Sequence, residues 1–388
     1  MHMNVAMRVG LIAAFAVVLA LGVGVAHAFA NDQATYDIIP DNTYVAGVDV
    51  SGMTADEAEG AVSAAMSAEA ASVDVTLTTS DTGETFQISL ANEVTYDVAS
   101  AVDEAVSLRH GASALSRLVD GGDGNGERTD IDVHYTLDTS SVAEQIQSLA
   151  ASIDVPAADA TRTFNADGTV TITPETYGRA VDVQATTDAV LATLQNAIAN
   201  SGSLENLTST QLSATMTVNQ VAPSVVQANM TDCIVVDYAQ FLLTVYDNTG
   251  TAIWSCNIGY GRGWEDGVNY NSPEGLHYIE YFDPAPTWAN PDPNGWGKDY
   301  KAYYGPGDEG NPMGSREMKI SDAYLVFIHG VTDPNCIGNR LSHGCINVWD
   351  SQVIELYDLL YANATAHNSS SVGGDGEPIY VNFINYPG

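Results

Sequence analysis

The chain has 388 residues, more than one ordinary domain holds, and reads as two or three domains. Its 45% apolar content supports packed cores and excludes a disordered chain. With 49 acidic against 12 basic side chains and a formal net charge of -37, the surface repels phosphate backbones, so nucleic acid is excluded as a partner.

The N-terminus carries Arg8 as a positive flank and then an uncharged apolar run, Val9 to Ala26, of eighteen residues. That length suits a hydrophobic helix that stays in the membrane as a single-span anchor. Ala26-His27-Ala28 is an A-x-A cleavage pattern, which would instead release a secreted protein. Either way, residues 1–30 are a membrane anchor or signal peptide, and everything after residue 30 is expected outside the cytoplasm.

Residues 31 to about 220 contain a repeat with an offset of 85. Thr54-Ala55-Asp56-Glu57 is a capping box that opens a helix, and Thr139 opens another helical run, Val142 to Leu149, at that offset. The turn Asp81-Thr82-Gly83 has its counterpart in Ala166-Asp167-Gly168, the latter between the strand-like runs Thr161–Phe164 and Val170–Ile172. Asp97-Val98 and Asp182-Val183 each precede a helix. Each unit reads helix, hairpin, helix. This predicts two α+β repeat modules, residues 31–119 and 127–220, joined by the glycine-rich linker 120–126.

After Val221–Met230 the chain turns strand-rich, with short β-type runs at Cys233–Asp237, Phe241–Tyr246 and Ile253–Ile258. Tyr281 to Glu309 is a long stretch rich in Pro, Gly, Asp, Tyr and Trp, the composition and length of a lid or binding loop. Residues 231–388 therefore form a mainly β C-terminal domain.

The chemistry concentrates in Phe327-Ile328-His329-Gly330 and Ser342-His343-Gly344-Cys345-Ile346-Asn347-Val348. An apolar run, Tyr324 to Ile328, delivers His329 at a strand end. Cys345 follows a short loop and precedes a helix that Asp350 can cap and whose buried stripe is Val353, Ile354, Tyr357 and Leu360. A nearby imidazole turns a weakly nucleophilic thiol into a thiolate fit to attack an amide carbonyl. The N–H groups of Gly344 and Cys345 are candidate oxyanion donors, Asn347 could fix the loop through its side chain, and the Gly330 carbonyl could face the His329 ring and set its tautomer. Four cysteines are present, Cys233, Cys256, Cys336 and Cys345. Outside the cytoplasm a Cys233–Cys256 bridge is one open pairing. No cysteine or histidine spacing suits zinc, and no metal or cofactor is expected.

The Ser-His-Gly-Cys-Ile-Asn stretch, preceded by Ile-His-Gly, resembles the signature of the L,D-transpeptidase catalytic domain, the YkuD type. The resemblance extends over residues 231–386. It takes in Ile234–Asp237 with Gln240–Tyr246, Ser272-Pro273-Glu274-Gly275, Pro286-Thr287-Trp288, Asn311-Pro312-Met313-Gly314 and Glu377–Val381. The segment Val45–Thr54 with the Glu57-Ala58 helix resembles, more loosely, a peptidoglycan-binding-type domain found ahead of such catalytic domains. The sixteen-residue step from His329 to Cys345 is short for the family, which also requires no cysteine where Cys336 lies.

The resemblance implies a YkuD-type β-sandwich with a short helix after the catalytic cysteine. It implies Cys345 as nucleophile and His329 as proton carrier, with Ser342 and His343 lining the pocket. Cys345 would attack a donor tetrapeptide stem after its third-position diamino acid and expel the terminal D-alanine. The side-chain amine of another stem would then resolve the acyl-enzyme into a cross-link between third-position residues. Carbapenem β-lactams are implied as inhibitors that acylate the same thiol. Two alternatives stay open: an L,D-carboxypeptidase, where water resolves the acyl-enzyme, and a catalytically inactive wall-binding protein. A papain-like order is disfavoured because His329 precedes Cys345, and a sortase because no arginine follows Cys345.

Overall fold

The protein is described by a computed structural model over residues 37–70, 73–90, 93–110, 127–201, 212–323 and 325–387. The apolar run Val9–Ala26, the Ala26-His27-Ala28 pattern and the linker 120–126 lie outside these residues. Among the described residues no helix is long and apolar enough to cross a membrane.

The chain divides into two compact units, residues 1–155 with 179–220, and residues 156–178 with 221–388. The first holds helices α1 (Ala55–Ala70), α2 (Val98–His110), α3 (Thr139–Ile153) and α4 (Val183–Ser201). Local chemistry starts each helix. Thr54 and Glu57 exchange the reciprocal bonds of a capping box, 3.0 Å for Thr54 N–H to Glu57 and 3.5 Å for Glu57 N–H to Thr54 Oγ1. Asp97 receives Ser100 N–H at 3.2 Å and Asp182 receives Ala185 N–H at 3.0 Å. For α3 the cap is Asp138, which accepts from Ser140 and Ser141, so Thr139 is the first helical residue.

This unit contains two cores. One joins α1 and α2 to the strand Thr43–Val45 through Val62, Met66, Val102 and Ile131. The other places the hairpin of Asp74–Thr79 and Thr85–Ser89 under α3 and α4 through Val75, Leu77, Ile146 and Leu194. The strand Leu212–Met216 completes that sheet by pairing parallel to Asp74–Thr79. The corresponding hairpin downstream, Thr161–Phe164 with Val170–Thr173, belongs to the second unit. The compact units therefore do not coincide with the division at 119/127 and 220/231, because hairpins pack away from the helices that flank them in sequence.

The second unit is built on one eight-stranded mixed sheet. Its strands in chain order are β1 (Cys233–Asp237), β2 (Leu242–Tyr246), β3 (Ala252–Asn257), β4 (Gly275–Asp283), β5 (Glu317–Ile320), β6 (Phe327–Val331), β7 (Ile346–Trp349) and β8 (Tyr380–Ile384). In space they run β3-β2-β1-β8-β4-β5-β6-β7. Alternate residues from all eight strands, among them Cys256, Leu243, Val236, Val381, Ile279, Met318, Ile328 and Ile346, feed one core with Val353, Leu356 and Leu360 of α5 (Asp350–Ala366). One face of one sheet wraps that core in a barrel-like manner, so the expected two-sheet sandwich is not formed. The expected short helix is the 17-residue α5, because its apolar stripe must cover the floor of the sheet.

On the opposite face of β1, Cys233 and Val235 are covered by Val170 of the Thr161–Thr173 hairpin. Arg162 reaches from that hairpin, nearly buried, to pair with Glu377 and to donate to the Thr231 carbonyl. Tyr246 donates to the Gly168 carbonyl at 2.8 Å, where Gly168 turns the hairpin with φ +84°. Removing one member of a buried pair costs about 3–5 kcal/mol. Arg162→Ala should lower the stability of this unit by about that amount, read as a drop in the urea midpoint with the m-value unchanged.

Candidate active site

Strands β6 and β7 pair in parallel with Ile328 opposite Ile346 and His329 opposite Asn347. Ile328 and Ile346 point into the core. Strand alternation therefore puts His329 on the other face, while Cys345 lies just ahead of β7, one residue before Ile346.

His329 is buried, and its Nδ1 donates to the Gly330 carbonyl at 3.1 Å. A carbonyl only accepts, so Nδ1 carries the proton and Nε2 is left as an acceptor. Burial drives the His329 pKa down to about 4, partly opposed by the Gly330 bond and by Asp350. The ring is neutral at neutral pH. Cys345 is half-exposed, and its Sγ donates to the Leu325 carbonyl at 3.6 Å. Desolvation pushes the thiol up to about 11; the Phe327 N–H and Lys319 favour the thiolate, while Glu317 opposes it. The resting pair is thus neutral thiol and neutral imidazole. Among the described residues the thiol is bonded to the Leu325 carbonyl and not to His329.

The loop before Cys345 is held by two serines. Ser342 Oγ donates to the Cys345 carbonyl at 2.6 Å and accepts the Gly344 N–H at 3.1 Å. Ser272 Oγ donates to the Gly344 carbonyl at 2.8 Å and accepts the Gly261 N–H at 2.9 Å. Gly344 sits at φ +116°, where only glycine is unstrained. Its N–H, one of the two candidate oxyanion donors, is engaged inside the loop by Ser342. Asn347 is buried and tied to Gly259 by both main-chain groups, at 2.8 and 2.9 Å, so the described bonds that fix it come from its backbone and not its side chain.

His343 faces the long loop. Its ring stacks on Trp296 at 3.8 Å between centroids and meets Tyr270 edge-on at 4.8 Å. Arg262 donates to its Nε2 at 2.6 Å and pairs with Glu265 at 2.7 Å. Burial first, then Arg262, lowers the His343 pKa to about 4. The loop is ordered by Trp288, Trp296, Tyr300 and Tyr304, whose rings touch, and by Asp292, which accepts from Gly295 and Trp296. Sequence reasoning marked the loop but not Arg262, Tyr270 or Trp296, because one arginine in a glycine-rich turn carries no periodicity or spacing.

Behind the dyad, Gly330 packs against α5. A Cβ there would lie 2.3 Å from Asp350 Oδ1 and 2.9 Å from Val353 Cγ1. Asp350 is not the cap of α5: Trp349 occupies that position, and the Asp350 carboxylate accepts from Ser315 N–H and Oγ at 2.7 Å each. All four cysteines are free. Cys256 lies in the main core and Cys233 in the cluster on the opposite face, which rules out the Cys233–Cys256 bridge; burial pushes both thiols up to about 12. Among the described residues no group of His, Cys, Asp and Glu is arranged to hold a metal.

Folding depresses the His329 pKa from 6.5 to about 4, so this ring stabilises the fold above pH 6.5 and progressively less as pH falls toward 4. The loss is on the order of 3 kcal/mol. Urea titrations at pH 7 and pH 4 should show it, and His329→Gln should flatten that part of the pH dependence. Gly330→Ala should cost about 1–3 kcal/mol through overpacking against Asp350, measured by thermal melting.

Residues 231–381 match the family profile "YkuD: L,D-transpeptidase catalytic domain", and residues 89–200 match "Putative peptidoglycan binding domain". A protein of Fuscovulum blasticum named "Putative L,D-transpeptidase in ATP synthase subunits region ORF 5" is 39% identical over 78 residues, covering 19% of this chain and 39% of its own length. The chain thus spans well under half of that curated relative. Among solved structures, an Enterococcus faecium L,D-transpeptidase mutant is 20% identical, with coverage of 82% of this chain and 98% of its own and a TM-score of 0.29. A Mycobacterium smegmatis L,D-transpeptidase is 18% identical, with coverage of 39% and 58% and a TM-score of 0.28. The chain carries an L,D-transpeptidase catalytic domain of the YkuD family at residues 231–381, preceded by a domain of the peptidoglycan-binding family at residues 89–200.

Proposed function

We propose that this protein is an extracytoplasmic cysteine acyltransferase that cross-links peptidoglycan stem peptides, anchored in the membrane or secreted through its N-terminal apolar run. The observation that carries this reading is the match of residues 231–381 to the L,D-transpeptidase catalytic family, with His329 on β6 and Cys345 directly ahead of the neighbouring β7.

In this reading Cys345 rotates from the Leu325 carbonyl toward Nε2 of His329, which takes the thiol proton as the sulfur attacks the carbonyl after the third-position diamino acid. The Cys345 N–H meets the developing oxyanion. The proton passes from His329 to the departing D-alanine amine, leaving a thioester. An amine from a second stem then displaces the sulfur. The neutral resting pair is compatible with this order, since the proton moves only as the sulfur attacks. The Trp296–His343 stack closes the loop over the donor stem. A strained β-lactam amide, as in a carbapenem, would acylate the same sulfur.

Incubation of the full chain with a purified tetrapeptide muropeptide should give D-alanine and a cross-linked dimer by mass spectrometry. Cys345→Ala should give neither, and dimer formation by that variant would refute the mechanism. D-alanine without dimer would identify an L,D-carboxypeptidase. Aromatic stacking contributes about 0.5–1.5 kcal/mol. Trp296→Ala should therefore raise KM by up to about tenfold, with the smaller change in kcat.

A further inference from the structure

Glu317 has no part in the scheme above. It stands on β5 directly opposite His329 of β6, and Asp283 of β4 stands directly opposite it on the other side. Cross-strand partners share a face, so Asp283, Glu317, His329 and Asn347 form one row across four strands. Lys319 and Tyr281 form the neighbouring positions of the same face. Glu317 is only 6% exposed, and its carboxylate has neither a hydrogen bond nor an ion pair among the described residues. Its charge reaches Cys345.

A largely buried carboxylate beside a second one is relieved either by holding a proton or by a cation that joins it. The nearby cations are engaged elsewhere. Lys319 Nζ donates to the Ile320 and Ala323 carbonyls at 2.6 Å each and lies 3.8 Å from Glu280. Arg316 donates to the Pro284 and Ser315 carbonyls. The two carboxylates thus lie on the face of His329, close enough for the charge of Glu317 to act on Cys345, and their sign suits an alkylammonium group.

We propose that Glu317, with Asp283 beside it, receives the protonated amine of the acceptor stem and removes its proton, acting as the base of the transfer half-reaction. This rests on the acyl-enzyme reading given above. An alkylammonium has no lone pair for attack. One N–H proton passes to the Glu317 carboxylate, which frees the nitrogen pair. The nitrogen then bonds the thioester carbonyl carbon and the C–S bond breaks. The second proton lost by the nitrogen is carried by His329 to the departing Cys345 sulfur. Glu317 later returns its proton to solvent. Burial and Asp283 hold the Glu317 pKa up at about 7, which makes this carboxylate a better proton acceptor than an ordinary one and than His329 at about 4.

The test uses the full chain, a tetrapeptide donor and two acceptors, an alkylamine and the weakly basic hydroxylamine. The quantity read is product transferred to the acceptor per D-alanine released. Absence of D-alanine release by the wild type would defeat the acyltransferase reading itself. With the alkylamine at pH 7, Glu317→Gln should lower the ratio at least about tenfold. With hydroxylamine, which needs no proton removed first, the ratio should stay within about twofold of wild type. An unchanged alkylamine ratio, or an equal fall with both acceptors, would overturn the proposal.

Should Glu317→Gln not fold, the wild-type pH profile decides. The titratable and charged groups around Glu317 are Asp283 and Tyr281 from β4, Lys319 from β5, His329 from β6 and Cys345 ahead of β7. With a carboxylate base, transfer to the alkylamine levels off above about pH 8. A rise of about tenfold per pH unit, continuing toward the amine's own pKa near about 10, would mean the free amine attacks unaided and would overturn it.

Discussion

The parallel register of β6 and β7 is the constraint on which the site depends. Pairing Ile328 with Ile346 commits the even-numbered residues of both strands to the core. His329 and Asn347 are left together on the opposite face, and a one-residue slip would turn them into the core and the isoleucines out of it. The core enforces the register, because Ile328, Ile346 and Val348 pack on the stripe of α5. Gly330 and Asp350 tighten this further, since the helix start approaches β6 closely enough that no Cβ fits between them.

Much of this was legible in the sequence, for identifiable reasons. The Thr54–Glu57 capping box, the turns at Gly83 and Gly168, and the aspartates before α2 and α4 are local signals that depend on a few neighbouring residues. The His-Gly and Ser-His-Gly-Cys motifs are equally local, and the His329 tautomer followed from its neighbour's carbonyl. What stayed hidden depends on distant partners. Asp350 looks like a cap, but Ser315 claims its carboxylate. The Gly344 N–H looks free, but Ser342 folds back onto it. Arg262 and Trp296 meet His343 only after 81 and 47 residues of intervening numbering are brought together. Glu317 reads as an ordinary strand residue until the register sets it opposite His329.

The site is electrostatically quiet at rest. Burial keeps His329 neutral and Cys345 protonated, and a protonated thiol is less open to chance oxidation than a thiolate. The same desolvation keeps Cys233 and Cys256 inert in their separate clusters. Two of the four free cysteines, Cys233 and Cys256, are thus sealed in apolar clusters, while Cys336 and Cys345 are partly exposed.

The hairpin of Thr161–Thr173 has a practical corollary for where this chain can be cut. The family match begins at residue 231, yet Val170 shields Cys233 and Val235, and Arg162 neutralises Glu377 from sixty-nine positions upstream of Thr231. A fragment trimmed at the homology boundary would present bare apolar sheet and an orphaned carboxylate to water. The compact unit that holds the sheet takes in residues 156–178 as well as 221–388, so the border of the family match and the border of the packed unit are different places on the chain.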